Sequence, residues 1–221
     1  MGIEQLRKLI AGNSTEDFVE LTDKIKTMMT YYRCAMYEIE TKFNVLNEQF
    51  SLQHERNPIN SIKTRIKSAE SIYEKLERKN LPISIASIEE NLNDVAGIRV
   101  ICSFIDDIYM LAECLIKQDD IKLIEQKDYI KNPKPNGYRS MHLIVEIPIF
   151  LYNEKKYVKA EVQLRTISME SWANLEHRMR YKKNLDDELL LMTHDMLLEC
   201  AEKSNQIDMA MQKIRNMIET K

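Results

Sequence analysis

The chain has 221 residues, 44% of them hydrophobic and 30% charged, with a formal net charge of -3. That length holds one domain with helical extensions, or two small domains, with enough apolar residues for a proper core. The slight negative charge excludes a protein whose main task is coating nucleic acid, because such affinity comes from neutralising many phosphates, so any basic site must be local.

Ser14 and Thr15 can cap a long helix whose apolar positions Phe18, Leu21, Ile25, Met28, Tyr32, Met36, Ile39, Phe43, Leu46 and Phe50 step by threes and fours. From about Asn60 to Lys183 the pattern changes, because helices and strands mix and basic residues gather. A helix is predicted over Ser61–Lys79, ended by Leu81-Pro82, and a short one starts at a capping box from Ser87 to Glu90. Gly97 then opens a strand in Asp94-Val-Ala-Gly-Ile-Arg-Val-Ile-Cys102. A helix near Asp106–Lys117 and a strand over Ile121–Asp128 follow. A loop with Pro133, Pro135 and Gly137 leads into a strand over Ser140–Ile147. Val158–Thr166 alternates strictly, with Val158, Ala160, Val162 and Leu164 on one face and Lys159, Glu161, Gln163 and Arg165 on the other. Ile167–Tyr181 reads as a helix with Trp172, Leu175 and Met179 as its packing stripe. In the last helix Leu189, Thr193, Met196, Cys200, Ser204, Ile207, Met211, Ile214 and Ile218 repeat the helical rhythm. Both terminal stripes read equally as packing on their own domain or as a subunit interface. The order points to an α+β fold with a mixed β-sheet and helices packed on one side of it.

Cys34, Cys102, Cys114 and Cys200 lack Cys-x-x-Cys or zinc-like spacing and read as buried thiols of a reducing compartment. The N-terminus has no apolar signal core or myristoylation signal, and no apolar run spans a bilayer, so a cytoplasmic protein without a membrane partner is expected.

Several residues could carry chemistry. On the helix predicted over Ser61–Lys79, Lys75 lies between Arg65 and Arg78, so the three share a broad face that is either solvated or a phosphate site. Arg99 alternates with the core-like Ile98 and Val100 and leaves the opposite sheet face, where it needs an anion. Asp94 is that anion, a structural acid or a Mg²⁺ ligand; Glu161 on a neighbouring strand favours metal, since Mg²⁺ takes one or two carboxylates plus phosphate oxygens. Lys127, Lys134 and Arg139 flank the loop ending in Tyr138, which suits stacking on a nucleobase but suits equally a turn residue packing on its own loop. His142 reads as structural or as a phosphate donor beside Lys134. Glu161 can serve as base or metal ligand, Gln163 can bond a ribose or base edge, and Arg165 can hold the carboxylate or meet phosphate. The pair His194-Asp195 has the look of metal phosphohydrolases, but the last helix brings it no other histidine.

Six pieces in order, Arg65–Lys75, Asp94–Arg99, Lys127–Ile130, Asn136–His142, Glu161–Thr166 and Trp172–His177, resemble the synthetase domain of RelA/SpoT-type (p)ppGpp synthetases, and most closely the small stand-alone alarmone synthetases. The resemblance implies a nucleotidyltransferase-like catalytic domain over 59–183, an N-terminal helical extension over 1–58 and a C-terminal oligomerisation helix over 184–221. It implies transfer of pyrophosphate from ATP to the 3′-hydroxyl of GTP or GDP, giving (p)ppGpp and AMP with Mg²⁺, in stringent-response type signalling. By the same resemblance Arg65, Lys75, Arg78 and Arg99 hold ATP, and Asp94 and Glu161 hold metal, with Glu161 alternatively taking the hydroxyl proton. Tyr138 stacks on guanine, Lys127, Lys134 and His142 meet the guanosine phosphates, and Gln163 and Arg165 support Glu161. A homotetramer through the terminal helices and no hydrolase activity are further expectations. Glu40, Asn44 and Glu170 fall where relatives place a product-binding cleft, which argues against product activation. The alternative is an inactive nucleotide- or RNA-binding regulatory module, against which two acids facing polyphosphate speak.

Overall fold

The computed structural model describes residues 10, 18–54, 56–180 and 187–219; the expected caps Ser14 and Thr15 and the 183/184 boundary lie outside them. The elements in order are α1 (Phe18–His54), β1 (Ile59–Ile66), α2 (Ala69–Arg78), α3 (Ile85–Asn91), β2 (Ala96–Cys102), α4 (Ile105–Ile116), β3 (Lys122–Asp128), β4 (Met141–Phe150), β5 (Lys155–Thr166), α5 (Ile167–Arg180) and α6 (Asp187–Glu219). Five strands form one mixed sheet in the order β1-β2-β5-β4-β3, in which β2 and β5 run parallel and the other pairs antiparallel. The parallel pair sits at the centre, flanked on each side by antiparallel strands.

Alternation assigns the two faces. Val158, Ala160, Val162 and Leu164 of β5, Met141, Leu143, Val145 and Ile147 of β4 and Ile98 and Val100 of β2 are buried in one cluster. Leu21, Ile25, Met28, Tyr32, Met36, Ile39 and Phe43 of α1 join that cluster, as do Ile108, Leu111 and Leu115 of α4. The rhythm of α1 therefore meets its own sheet. The other sheet face carries charge, and α5 closes one end of it, so helices are not confined to one side as expected.

The helix expected over Ser61–Lys79 is half strand. Residues 61–66 alternate Ser61, Lys63, Arg65 against Ile62, Thr64, Ile66, which suits the edge strand β1. Ser68, in extended conformation, then caps α2 by accepting from the Ser71 amide. Arg65 thus lies on a strand and shares no helix face with Lys75 and Arg78. Likewise Ser84, not Ser87, caps α3, and Ser87 donates its amide to the Ser84 hydroxyl.

Two further expectations change. In α5, Trp172 is buried beside Met169 and Ala173, but Leu175 and Met179 are 55% and 46% exposed, so they are not its packing stripe. Only Cys102 is buried; Cys34 and Cys114 are half-buried and Cys200 is exposed on α6, all four as free thiols. In α6 the inward side is Leu197, Ala201 and Asp208, whereas Met196, Ile207, Met211, Ile214 and Ile218 face outward. No helix among the described residues is long and apolar enough to cross a membrane.

Candidate active site

The strand register lays out the charged face in rows. Lys63, Arg99, Gln163, His142 and Lys127 stand side by side on β1, β2, β5, β4 and β3. The next row is Arg65, Gly97, Glu161 and Ile144. Because Gly97 has no side chain, the floor between Arg65 and Glu161 stays open; its nearest constraint is the Arg65 carbonyl, 3.4 Å from where a Cβ would sit. The result is a cavity of about 300 Å³ lined by Lys63, Thr64, Arg65, Asp94, Gly97, Ile98, Arg99, Glu161 and Gln163.

Asp94 and Glu161 open onto this same cavity. Asp94 enters from the turn before β2, with its Oδ2 held by Lys75 at 2.8 Å and Lys67 at 2.9 Å. Its Oδ1 is buried and has no hydrogen-bond partner. Burial alone would raise the Asp94 pKa, but hydrogen bonds from the two lysines outweigh it and hold the group below its ordinary value. Asp94 therefore is not the counter-ion of Arg99. That partner is Glu170 of α5, 3.1 Å from Arg99 Nη1.

Glu161 anchors a chain of hydrogen bonds across the face. Gln163 Nε2 donates to its Oε2 at 2.8 Å, and His142 Nδ1 lies 3.1 Å from its Oε1. Arg165 Nη2 donates to Gln163 Oε1 at 2.8 Å and to the Tyr138 hydroxyl at 2.5 Å, and that hydroxyl lies 2.8 Å from His142 Nε2. His142 lies between the Tyr138 hydroxyl and the Glu161 carboxylate, with one ring nitrogen within hydrogen-bond distance of each. Two routes thus tie Arg165 to Glu161. Burial raises the Glu161 pKa, but His142 and Gln163 more than offset it despite repulsion from Asp94, so the carboxylate is held ionised.

The far end of the face is built by the β3–β4 loop. Gly137, at φ +87, makes a turn that L side chains rarely adopt. A Cβ there would lie 2.5 Å from that of Ala201, so α6 packs directly on the loop. Tyr138 is half-buried, with Lys134 Nζ 4.8 Å and the Arg165 guanidinium 5.0 Å from its ring centre. Burial lowers the Lys134 pKa. Lys127 pairs with Glu125 at 2.9 Å, and that hydrogen bond raises its pKa. Arg139 is committed to α6, bonding the Ala201 carbonyl and Glu202, and is not free for a phosphate.

Of the residues expected to meet ATP, Arg65 and Arg99 line the cavity and Lys75 reaches it through Asp94, whereas Arg78 lies exposed in the last turn of α2, outside the lining. His194 and Asp195 sit 3.2 Å apart on α6, with the Asp195 side chain 93% exposed, away from this face. Lys67 and Lys63 were not anticipated, and Glu170, expected only at a product-binding cleft, instead pairs with Arg99 and Arg165 on this face. Lys67 follows β1 directly, so it becomes readable once β1 is recognised as a strand.

Metal fits the donor set. Among the described residues no group of three or more His, Cys, Asp or Glu could hold an ion. Two carboxylates on one cavity, one with an unpartnered buried oxygen, match an ion that completes its shell with phosphate oxygens and water. A larger cavity of about 720 Å³ lies between α1 and α3, but the charges around it pair with each other, as in Lys24–Glu20 and Lys156–Glu89. It offers no such orphaned group.

The chain matches known proteins in both sequence and fold. Residues 64–186 match the family described as a region found in RelA/SpoT proteins. The chain is 42% identical to the GTP pyrophosphokinase YwaC of Bacillus subtilis, over 92% of its own length and 96% of that protein. Its fold superposes on the crystal structure of small alarmone synthetase 2 from Bacillus subtilis with a TM-score of 0.76 and 41% identity, covering 87% of this chain and 98% of that one. Small alarmone synthetase 1 from the same organism, solved with its product pppGpp, gives a TM-score of 0.75 and 33% identity over 85% of this chain and 94% of that one.

Proposed function

The chain belongs to the RelA/SpoT family, and from that premise we propose that it is a (p)ppGpp synthetase that moves the pyrophosphate of ATP onto the 3′-hydroxyl of GTP or GDP. The observation that carries the reading is the shared cavity of Asp94 and Glu161, ringed by cations and continuous through hydrogen bonds with Tyr138.

Lys63, Arg65, Arg99 and Lys75 form the basic wall toward which the ATP phosphates orient. Tyr138 offers its ring to the guanine, with Lys134, Lys127 and His142 placed for the guanosine phosphates. Glu161 receives the proton of the 3′-hydroxyl, whose oxygen attacks the β-phosphorus of ATP while the bond to the α,β-bridging oxygen breaks and AMP leaves. Asp94 and Glu161 would hold Mg²⁺, which supplies charge neutralisation on the phosphates. Most of the rate enhancement then comes from positioning two nucleotides against fixed charges, for which effective molarity supplies ~7 to 11 kcal/mol. The outward apolar stripe of α6 offers the surface for a homotetramer, and the free cysteines suit the cytoplasm.

Incubation with Mg²⁺, ATP and GDP or GTP, followed by separation of the nucleotides, tests the proposal. AMP and a guanosine nucleotide two phosphates heavier are expected in equal amounts. Release of free pyrophosphate would identify nucleotidyl transfer instead, and binding without turnover an inactive regulatory module.

A further inference from the structure

Glu170 stands where the two halves of the face meet. It is 6% exposed, in the first turn of α5, and each carboxylate oxygen serves a different half. Oε1 accepts from Lys63 Nζ at 3.1 Å, Arg99 Nη1 at 3.1 Å and Asn174 Nδ2 at 3.0 Å. Oε2 accepts from Arg165 Nη1 at 2.9 Å. Lys63 and Arg99 line the donor cavity; Arg165 holds the Tyr138 hydroxyl and Gln163. One carboxylate set against three cations cannot neutralise them, so charge remains for a phosphate while the cations are held in place.

We propose that Glu170 is a positioning residue that couples the two nucleotide sites, so that filling the donor cavity tightens Arg165 onto the acceptor plate. The inference rests on the pyrophosphokinase reading. Phosphates entering the cavity compete with Glu170 for Lys63 and Arg99. As those bonds loosen, the carboxylate's charge falls more fully on Arg165, which fixes Tyr138 and Gln163 in their binding geometry. Linkage requires the acceptor nucleotide to help the donor by the same factor.

Calorimetric titration tests this with α,β-methylene ATP and GDP in Mg²⁺, each alone and in the presence of the other. In the wild type each ligand tightens the other by about 5-fold or more. In Glu170→Gln that factor falls to near one, while the ATP analogue alone binds as tightly as before or more tightly, because its competitor for Arg99 is gone. A merely structural Glu170 would weaken both ligands alone and leave their mutual tightening unchanged. Lys63→Met, at a side chain 55% exposed, cuts only the donor-side arm and must also reduce the coupling. Absence of coupling in the wild type, or coupling that survives in both variants, overturns the proposal. A wild type that binds both nucleotides cooperatively yet makes no product would instead overturn the pyrophosphokinase reading and leave the bridge standing.

Discussion

The two faces of one set of strands are built from alternate residues of the same segments, yet they answer to different physics. On β5, Val162 and Leu164 are fully buried against α1, whereas Gln163 between them bonds Glu161 and Arg165. The apolar face gains stability from area removed from water, so any residue of similar volume serves it. On the charged face each acid is held by named donors at hydrogen-bond distance, so identity and register matter more than volume. The difference teaches that fold and chemistry are separable here by a single step along the strand.

Substitutions on the two faces should therefore fail in different ways. The largest effect is expected from Glu161→Gln, which keeps the shape and removes the base: turnover falls roughly a hundred- to ten-thousand-fold, with the melting temperature nearly unchanged. Equal losses in turnover and in nucleotide affinity would count against its role. Gly97→Val comes next, because the new side chain fills the floor between Arg65 and Glu161; binding of the ATP analogue should be lost while circular dichroism stays native. Leu164→Ala on the opposite face reverses the pattern, costing about 2 to 5 kcal/mol of stability with activity per folded molecule retained. Tyr138→Ala should weaken acceptor binding by about 1 to 3 kcal/mol, read as a rise in the GDP KM with that of ATP little changed.

The smallest effect concerns acid. Burial opposes ionisation of Glu170, but bonds from Lys63, Arg99, Asn174 and Arg165 hold its pKa below the ordinary value. A depressed carboxylate pKa stabilises the fold above the unfolded value of about 4.3, and that contribution is lost as pH falls through the folded value. Thermal melts of wild type and Glu170→Gln should thus differ at neutral pH and converge only as the pH falls below the depressed folded value. A gap that persists in acid would show that the carboxylate's charge is not what stabilises.

How much of this was legible followed the range of the interaction. Strict alternation in Val158–Thr166 marked the charged face of β5, and Ile98, Arg99 and Val100 gave that of β2. The strand β1 was missed because Ser61, Lys63 and Thr64 lack the apolar content of a core strand, and its isoleucines also fit a helical spacing that runs on into α2. The two long terminal helices share one rhythm, but α1 buries its stripe on the sheet while α6 turns Ile207, Met211 and Ile214 outward. Periodicity shows that a face is apolar without saying what covers it. Glu170 gave no local signal: its partners Lys63 and Arg99 lie 107 and 71 residues away, and an acid in a helix's first turn is ordinary. For Asp94 the sequence left a pairing with Arg99 open beside a structural role and metal, and its actual partners Lys67 and Lys75 reach it only once β1 and α2 are separate elements.

The fate of the phosphates tests the central claim most directly. With ATP labelled at its β-phosphate, Mg²⁺ and GDP, phosphorus NMR of the purified product should place the label on the guanosine 3′-oxygen, one for each AMP formed. Label recovered as free pyrophosphate, retained in ADP, or attached at the 5′ end would contradict the account.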